Sequence, residues 1–262
     1  MQILIDASVV LLAYIFGSIP FGLLIVKVGT GKDIRHVASG RIGGTNAARA
    51  GGAVAGVLTA LMDALKGAAA VWVAQAVSPG NDWLHVLAPI AAVLGHNYSV
   101  FLTERDDKFR LRFRGGAGGG PTVGGAFGLW WPSALIVVPL GALVFFGIGY
   151  ASVTTMSAAV IITAVFAVRY AMGLAPLPDM FYGVLAFILL VWALRPNIRA
   201  LIDGRERFHG WRPWKRGAEA PFSVRSPEKS KADKSSSAPR SRSLSRRTRR
   251  DAPSRKTATS KR

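Results

Sequence analysis

The chain contains no cysteine and only four histidines among its 262 residues. The first absence excludes disulfides, thiolate metal sites and a cysteine nucleophile. The second argues against a histidine-rich metal cluster. No metal centre is expected. No Lys or Arg precedes the first apolar run, residues 3–26, so the basic leading segment of a cleaved signal peptide is missing. A retained helix with its N-terminus outside is the expectation. Aliphatic residues are almost absent from residues 218–262, a Ser, Pro, Lys and Arg stretch that cannot bury a core. Residues 211–262 hold 17 Lys and Arg against 4 Asp and Glu, so most of the net charge of +19 belongs to a basic, disordered cytoplasmic tail. Such a tail can bind anionic lipid heads through charge. Nucleic acid, which the same charge could attract, is the less favoured partner.

Half of the residues are hydrophobic and the mean hydropathy is +0.32. Several apolar stretches approach the length needed to cross a bilayer, which predicts an all-α integral membrane protein over residues 1–210. Spans are expected at residues 3–26, about 51–77, about 83–102, 133–150, 152–168 and 180–194. Residues 122–131 are too few to cross at ~1.5 Å per helical residue and predict a partial helix. Seven membrane segments result, the last leading to the cytoplasm. The loop from Lys27 to Arg49 carries five Lys and Arg against one acid, and Thr103 to Gly118 carries five, which assigns both to the cytoplasmic side.

Function points to those two loops. Ser39–Arg49, SGRIGGTNAAR, sets two hydroxyls, an amide and two guanidiniums among three glycines. A glycine-rich turn can aim successive backbone N–H groups at one spot, and Ser39, Arg41, Thr45, Asn46 and Arg49 add side-chain donors. The combination suits a phosphate-like anion, although connections are rich in Gly and small polar residues for other reasons too. The second loop closes with RGGAGGGP beside His96, Asn97 and Ser99, and the partial helix after it would point its N-terminus at the same place. Asp63 and Lys66, three apart within a span, form either a pair that supports the site or a purely structural ion pair.

In order along the chain stand GSIPFGLLIVK at 17–27, DIRHVASGRIGGTNAARAGG at 33–52, DALKG at 63–67, GHNYSVF at 95–101, RFRGGAGG at 112–119 and NIRALIDGRE at 197–206. This pattern resembles the bacterial membrane-embedded acyl-phosphate:glycerol-3-phosphate acyltransferases over residues 1 to about 209. The resemblance implies a seven-helix fold in the bacterial inner (plasma) membrane and no cofactor. It implies transfer of a fatty acyl group from acyl phosphate to the 1-hydroxyl of glycerol-3-phosphate, giving lysophosphatidic acid for phospholipid synthesis. It assigns Ser39, Thr45, Asn46 and Arg49 to a phosphate site in the first loop, and His96, Asn97, Gly115, Gly116 and Gly118 to the second. Asn197 becomes a polar site residue, and Glu206 a brace.

Three positions depart from the family's pattern. Arg41 stands where an asparagine is usual, Ala117 where a lysine is usual, and Leu194 where a histidine is usual. The stretch ERDDKFRLR ahead of the second glycine cluster reads as an insertion. Two function classes are therefore open: an active acyltransferase, and a re-specialised or inactive homologue that binds lipid precursors or organises partners. A small-molecule transporter fits less well, because the charges gather at one membrane face.

Overall fold

The computed structural model describes residues 1–105, 109 and 111–208. The basic tail expected at 211–262 lies outside the described residues.

Helix α1 (Gln2–Gly17) runs into α2 (Phe21–Thr30) across a break at residues 18–20. Pro20 supplies no backbone N–H, so the ladder cannot pass through it. One continuous 29-residue apolar stretch thus holds two helices, where the sequence predicts a single span at residues 3–26. A short 3-10 turn (Ile34–His36) leads to α3 (Gly44–Val77), which is kinked at Gly52 (φ 85°, ψ 176°). The kink adds a separate helical stretch before the span expected at about 51–77. That extra stretch carries Thr45, Asn46 and Arg49, so these three are helix residues and not loop residues.

After α4 (Asp82–Asn97) comes a second 3-10 turn (Val100–Leu102) and then an antiparallel hairpin of β1 (Thr103–Arg105) and β2 (Leu111–Phe113). The hairpin corrects the all-α expectation. Its alternation of Leu111 and Phe113 around Arg112 is a strand period hidden among charges.

The short segment is α5 (Gly119–Leu129), as its length requires. Helix α6 (Ser133–Gly147) has only 15 residues, fewer than the 133–150 span predicts, because positive-φ Gly149 stops the chain short of α7 (Ala151–Ala171). Helix α8 (Leu177–Ile202) runs well past the expected end at 194. Pro196 sits inside the helix and Asn197 is helical.

Five apolar segments are long enough to cross a membrane, namely Gln2–Thr30, Gly44–Val77, Asp82–Leu102, Ala151–Ala171 and Leu177–Ile202. The protein is a mostly helical integral membrane protein. Small residues set its packing: a Cβ on Gly67 would overlap the Pro121 carbonyl, and one on Gly124 the Ala64 carbonyl, so α3 and α5 meet backbone to backbone. This close pair fixes the N-terminus of α5 beside that of α3.

Candidate active site

Three helix N-termini (α3, α5, α7) and two helix C-termini (α4, α8) meet at one end of the bundle, around a cavity of about 540 Å³. Its walls include Ser39, Arg41, Thr45, Asn46, Arg49, Asp63, His96, Gly118, Ser152, Asn197, Arg205, Glu206 and Arg207. N-terminal N–H groups and four guanidiniums outweigh two carboxylates there. An anion is favoured both by charge and by the helix ends.

The first loop is held from within. Ala38 adopts a left-handed conformation (φ 48°) and Gly40 follows at φ 68°. For alanine this costs ~1–2 kcal/mol, and the amide of Asn46 offsets it. Asn46 Nδ2 donates to the carbonyls of Ile34, Val37 and Arg41 at 3.2, 3.0 and 2.8 Å. The side chain is buried, and both its amide hydrogens are committed to the loop's own backbone. With its hydrogens spent there, the Asn46 side chain holds the loop's shape while still lining the cavity. Ser39, Thr45 and Arg49 are exposed on the cavity wall. Ser39 Oγ accepts from Arg41 N at 3.4 Å.

Arg41 points inward. Its Nη1 donates to Gly116 O at 3.1 Å, and its Nη2 to Ala193 O at 2.8 Å and Asn197 Oδ1 at 3.0 Å. One guanidinium thus ties the first loop to the second and to α8. Burial pulls its pKa below the ordinary guanidinium value, with Glu206 opposing. From Asn197 the chain of bonds continues. Its Nδ2 donates to Glu206 Oε1 at 3.4 Å, and Ser152 Oγ donates to Glu206 Oε2 at 2.6 Å. Glu206 thereby links Ser152 of α7 to Asn197 of α8. Ser152 carries no sequence signal, lying among small residues 54 positions from its partner.

In the second loop the glycines serve close approach. Gly116 N donates to His96 O at 2.9 Å, and a Cβ on Gly116 would overlap the His96 ring nitrogen Nε2. Gly115 lies against the His96 and Asn97 carbonyls, and neither Gly115 nor Gly116 lines the cavity. Gly118 does line it, and its φ of 86° favours glycine. Asn97 lies beneath Gly118, buried and outside the cavity wall.

Asp63 and Lys66 form a buried pair at 2.9 Å, with His96 Nδ1 3.4 Å from the same carboxylate oxygen. Lys66 Nζ also donates to Ile19 O at 3.0 Å, at the break between α1 and α2. Asp63 and His96 reach the cavity, while Lys66 faces away into the bundle.

The three departures from the family pattern fall in one place. Ala117 and Leu194 belong to one apolar cluster, and Arg41 bonds the carbonyls of the residues just before them, Gly116 and Ala193.

Fold and cavity together define a membrane-embedded protein with an anion site at one end of its helices. The glycerol-3-phosphate acyltransferase family matches residues 7–204. The chain is 37% identical over 220 residues to a glycerol-3-phosphate acyltransferase of Rubrobacter xylanophilus, covering 80% of this chain and 98% of that one. It is 40% identical to a namesake from Thermus thermophilus, covering 77% and 94%. Among solved structures it is similar to PlsY (YgiH), an integral membrane glycerol 3-phosphate acyltransferase, in its glycerol 3-phosphate form. The TM-score is 0.67 and the identity 31%, over 78% of this chain and 96% of that one. The lysophosphatidic acid form of the same enzyme gives a TM-score of 0.65 at 29% identity. The chain belongs to the glycerol-3-phosphate acyltransferase family.

Proposed function

We propose that the protein acylates the 1-hydroxyl of glycerol-3-phosphate with acyl phosphate as donor, making lysophosphatidic acid for phospholipid synthesis. The hydroxyl oxygen attacks the acyl carbonyl carbon. The bond from that carbon to the phosphate oxygen breaks, and the departing phosphate takes up the hydroxyl proton. An activated donor makes a covalent acyl-enzyme unnecessary. The protein's work is to bring two anions together and to stabilise charge as the hydroxyl attacks.

The observation that carries this reading is the composition of this cavity. Its polar end gathers Ser39, Arg41, Thr45, Arg49, Arg205 and Arg207 with the N-termini of α3, α5 and α7, and its other end is apolar, walled by Val123, Val137, Val138, Gly141 and Ala158. A phosphate fits the first end and a fatty acyl chain the second. Ser39, Thr45, Arg49 and Asn197 are the residues we assign to the phosphates, with Arg41 and His96 setting the field behind them. Asn46, Asn97, Glu206 and the pair Asp63–Lys66 hold the walls.

We further propose that α5 and α6 complete seven membrane segments, with the N-terminus outside and the cavity and C-terminus on the cytoplasmic face of the bacterial plasma membrane. The loop charges support this orientation. In this reading the residues beyond 210 are a separate basic tail that is drawn to anionic lipid heads and is dispensable for catalysis.

The test is direct. Purified protein in detergent should convert acyl phosphate and glycerol-3-phosphate to lysophosphatidic acid and inorganic phosphate, and a chain truncated after residue 217 should do so equally well. No product from folded protein would leave a lipid-precursor-binding role instead.

A further inference from the structure

We infer that the hairpin β1–β2 is a membrane-interface anchor whose outer face lies in the headgroup layer of an anionic bilayer. The two strands put their side chains on opposite faces. Cross-strand partners Thr103 and Phe113, and Arg105 and Leu111, share one face, while Glu104 and Arg112 share the other.

On the second face Arg112 is exposed, while Glu104 is turned towards the protein. Glu104 pairs with Arg35 of the first loop at 3.2 Å and with Arg114 at 2.8 Å. The base of the hairpin is fastened to the membrane helices. Arg114 N donates to Leu102 O, Ser99 N to Arg114 O, and Ser99 Oγ to Ser18 O at the break between α1 and α2. Leu102 is buried with Val26 and Ile34. The hairpin therefore cannot swing freely, and its outer face keeps a set orientation.

That outer face is uncovered and sets two apolar side chains beside Thr103 and Arg105. Leu111 is 59% exposed and Phe113 45%. It is continuous with Val100 and Phe101, also exposed, which close the membrane-spanning stretch Asp82–Leu102 one residue before β1 begins. A three-residue strand reaches only ~10 Å, and the zone between the hydrocarbon core and bulk water is ~5–8 Å deep on each side. A hairpin rooted at the end of a span thus cannot leave the interface by much. Arg105, on the same face as Leu111, sets a cation beside the apolar pair, the combination by which amphipathic segments hold an anionic lipid surface. Exposed Leu111 and Phe113 next to the end of a spanning segment stand where a headgroup layer can cover them.

The absence of cysteine makes the test clean, since one introduced cysteine carries one spin label. The full chain with Leu111→Cys, Phe113→Cys or Arg112→Cys is labelled and reconstituted in vesicles of phosphatidylcholine with phosphatidylglycerol. Collision with dissolved oxygen and with a water-soluble nickel chelate is then compared. Labels at 111 and 113 should favour oxygen over nickel severalfold relative to the label at 112. Their immersion should decrease in pure phosphatidylcholine, and Arg105→Gln should remove that lipid dependence. Equal nickel access at all three sites would overturn the proposal. Labels at 111 and 113 that are immobile and shielded from both agents would also overturn it, in favour of a protein contact between copies. Acyl transfer in detergent, which does not involve these positions, reports that each variant is folded.

Discussion

Arg41 Nη2 lies 3.0 Å from Asn197 Oδ1, while the neighbouring Nη1 reaches Gly116 O. The first loop, the second loop and α8 are thereby joined through one cation. We propose two tasks for Arg41, supplying positive charge where Ala117 supplies none and clamping the two loops to α8. Coulomb attraction depends on distance and not on which loop carries the charge, so a displaced cation can restore the field that an anion feels. Arg41→Asn should lower acyl transfer by one to two orders of magnitude, since hydrogen bonds from a charged donor are worth ~1.5–3 kcal/mol each. Adding Ala117→Lys should recover much of the loss, so that the two changes are non-additive in a double-mutant cycle. Arg41→Lys separates the tasks. A lysine keeps the charge but lacks the planar fork that spreads donors over two terminal nitrogens, so a variant with nearly parental activity would show that clamping contributes little.

Ser39 and Arg49 differ from Arg41 in being exposed on the cavity wall. Neither packs the core, so Ser39→Ala and Arg49→Ala should leave the thermal unfolding temperature close to that of the parent. Transfer should drop by ~2–4 kcal/mol in transition-state terms, the usual effect of deleting one positioned donor to developing charge. Single-turnover rates with acyl phosphate provide the check. Near-parental rates in either variant would remove the first loop from the chemistry.

Part of the cavity lining is legible in the sequence because glycines, guanidiniums and hydroxyls gather in two segments that the fold brings to one end of the bundle. The phosphate-loop composition of 39–49, the short α5 and the break at Pro20 all follow from local rules. Other parts are not local. The amide of Asn46 has the same chemistry whether it meets a ligand or its own loop, and only the fold shows its hydrogens spent on Ile34, Val37 and Arg41. The Ser152–Glu206 bond spans 54 residues, and no spacing rule reaches that far. The hairpin is masked by charges that suit a loop, and α8 passes through Pro196 because its packing against α7 and α4 outweighs one lost backbone bond.

Acid should loosen the first loop through Asp33. Its carboxylate accepts from the Arg35 guanidinium at 2.7 Å and from Arg35 N at 2.9 Å, and these bonds hold its pKa down at about 2, against an ordinary value of 3.8. A carboxylate with a lowered folded-state pKa stabilises above its unfolded value and loses that contribution as the pH falls through the folded one. Asp33→Asn should therefore lower the unfolding temperature at pH 7. The gap to the parent should be constant down to the ordinary carboxylate range and close as the pH approaches the folded value. A gap that is already gone at neutral pH would show that the Arg35 pairing adds no stability.

The pair Asp63–Lys66 separates structure from catalysis. Lys66 is fully buried, and its Nζ serves both the Asp63 carboxylate and the Ile19 carbonyl at the break between α1 and α2. Removing one partner of a buried pair leaves the other charged and unsolvated, typically at ~3–5 kcal/mol. Lys66→Met should destabilise the protein by about that much in detergent unfolding. Asp63→Asn in the same chain removes the orphaned charge and should return part of the loss, although the Ile19 carbonyl still lacks its donor. Catalysis should follow a different order. Asp63 reaches the cavity beside His96 and Lys66 does not, so at a temperature where all variants are folded, Lys66→Met should retain more transfer activity than Asp63→Asn. If the two single variants lose activity equally while both remain folded, the lysine acts on the cavity as well, and the pair is part of the site and not only its support.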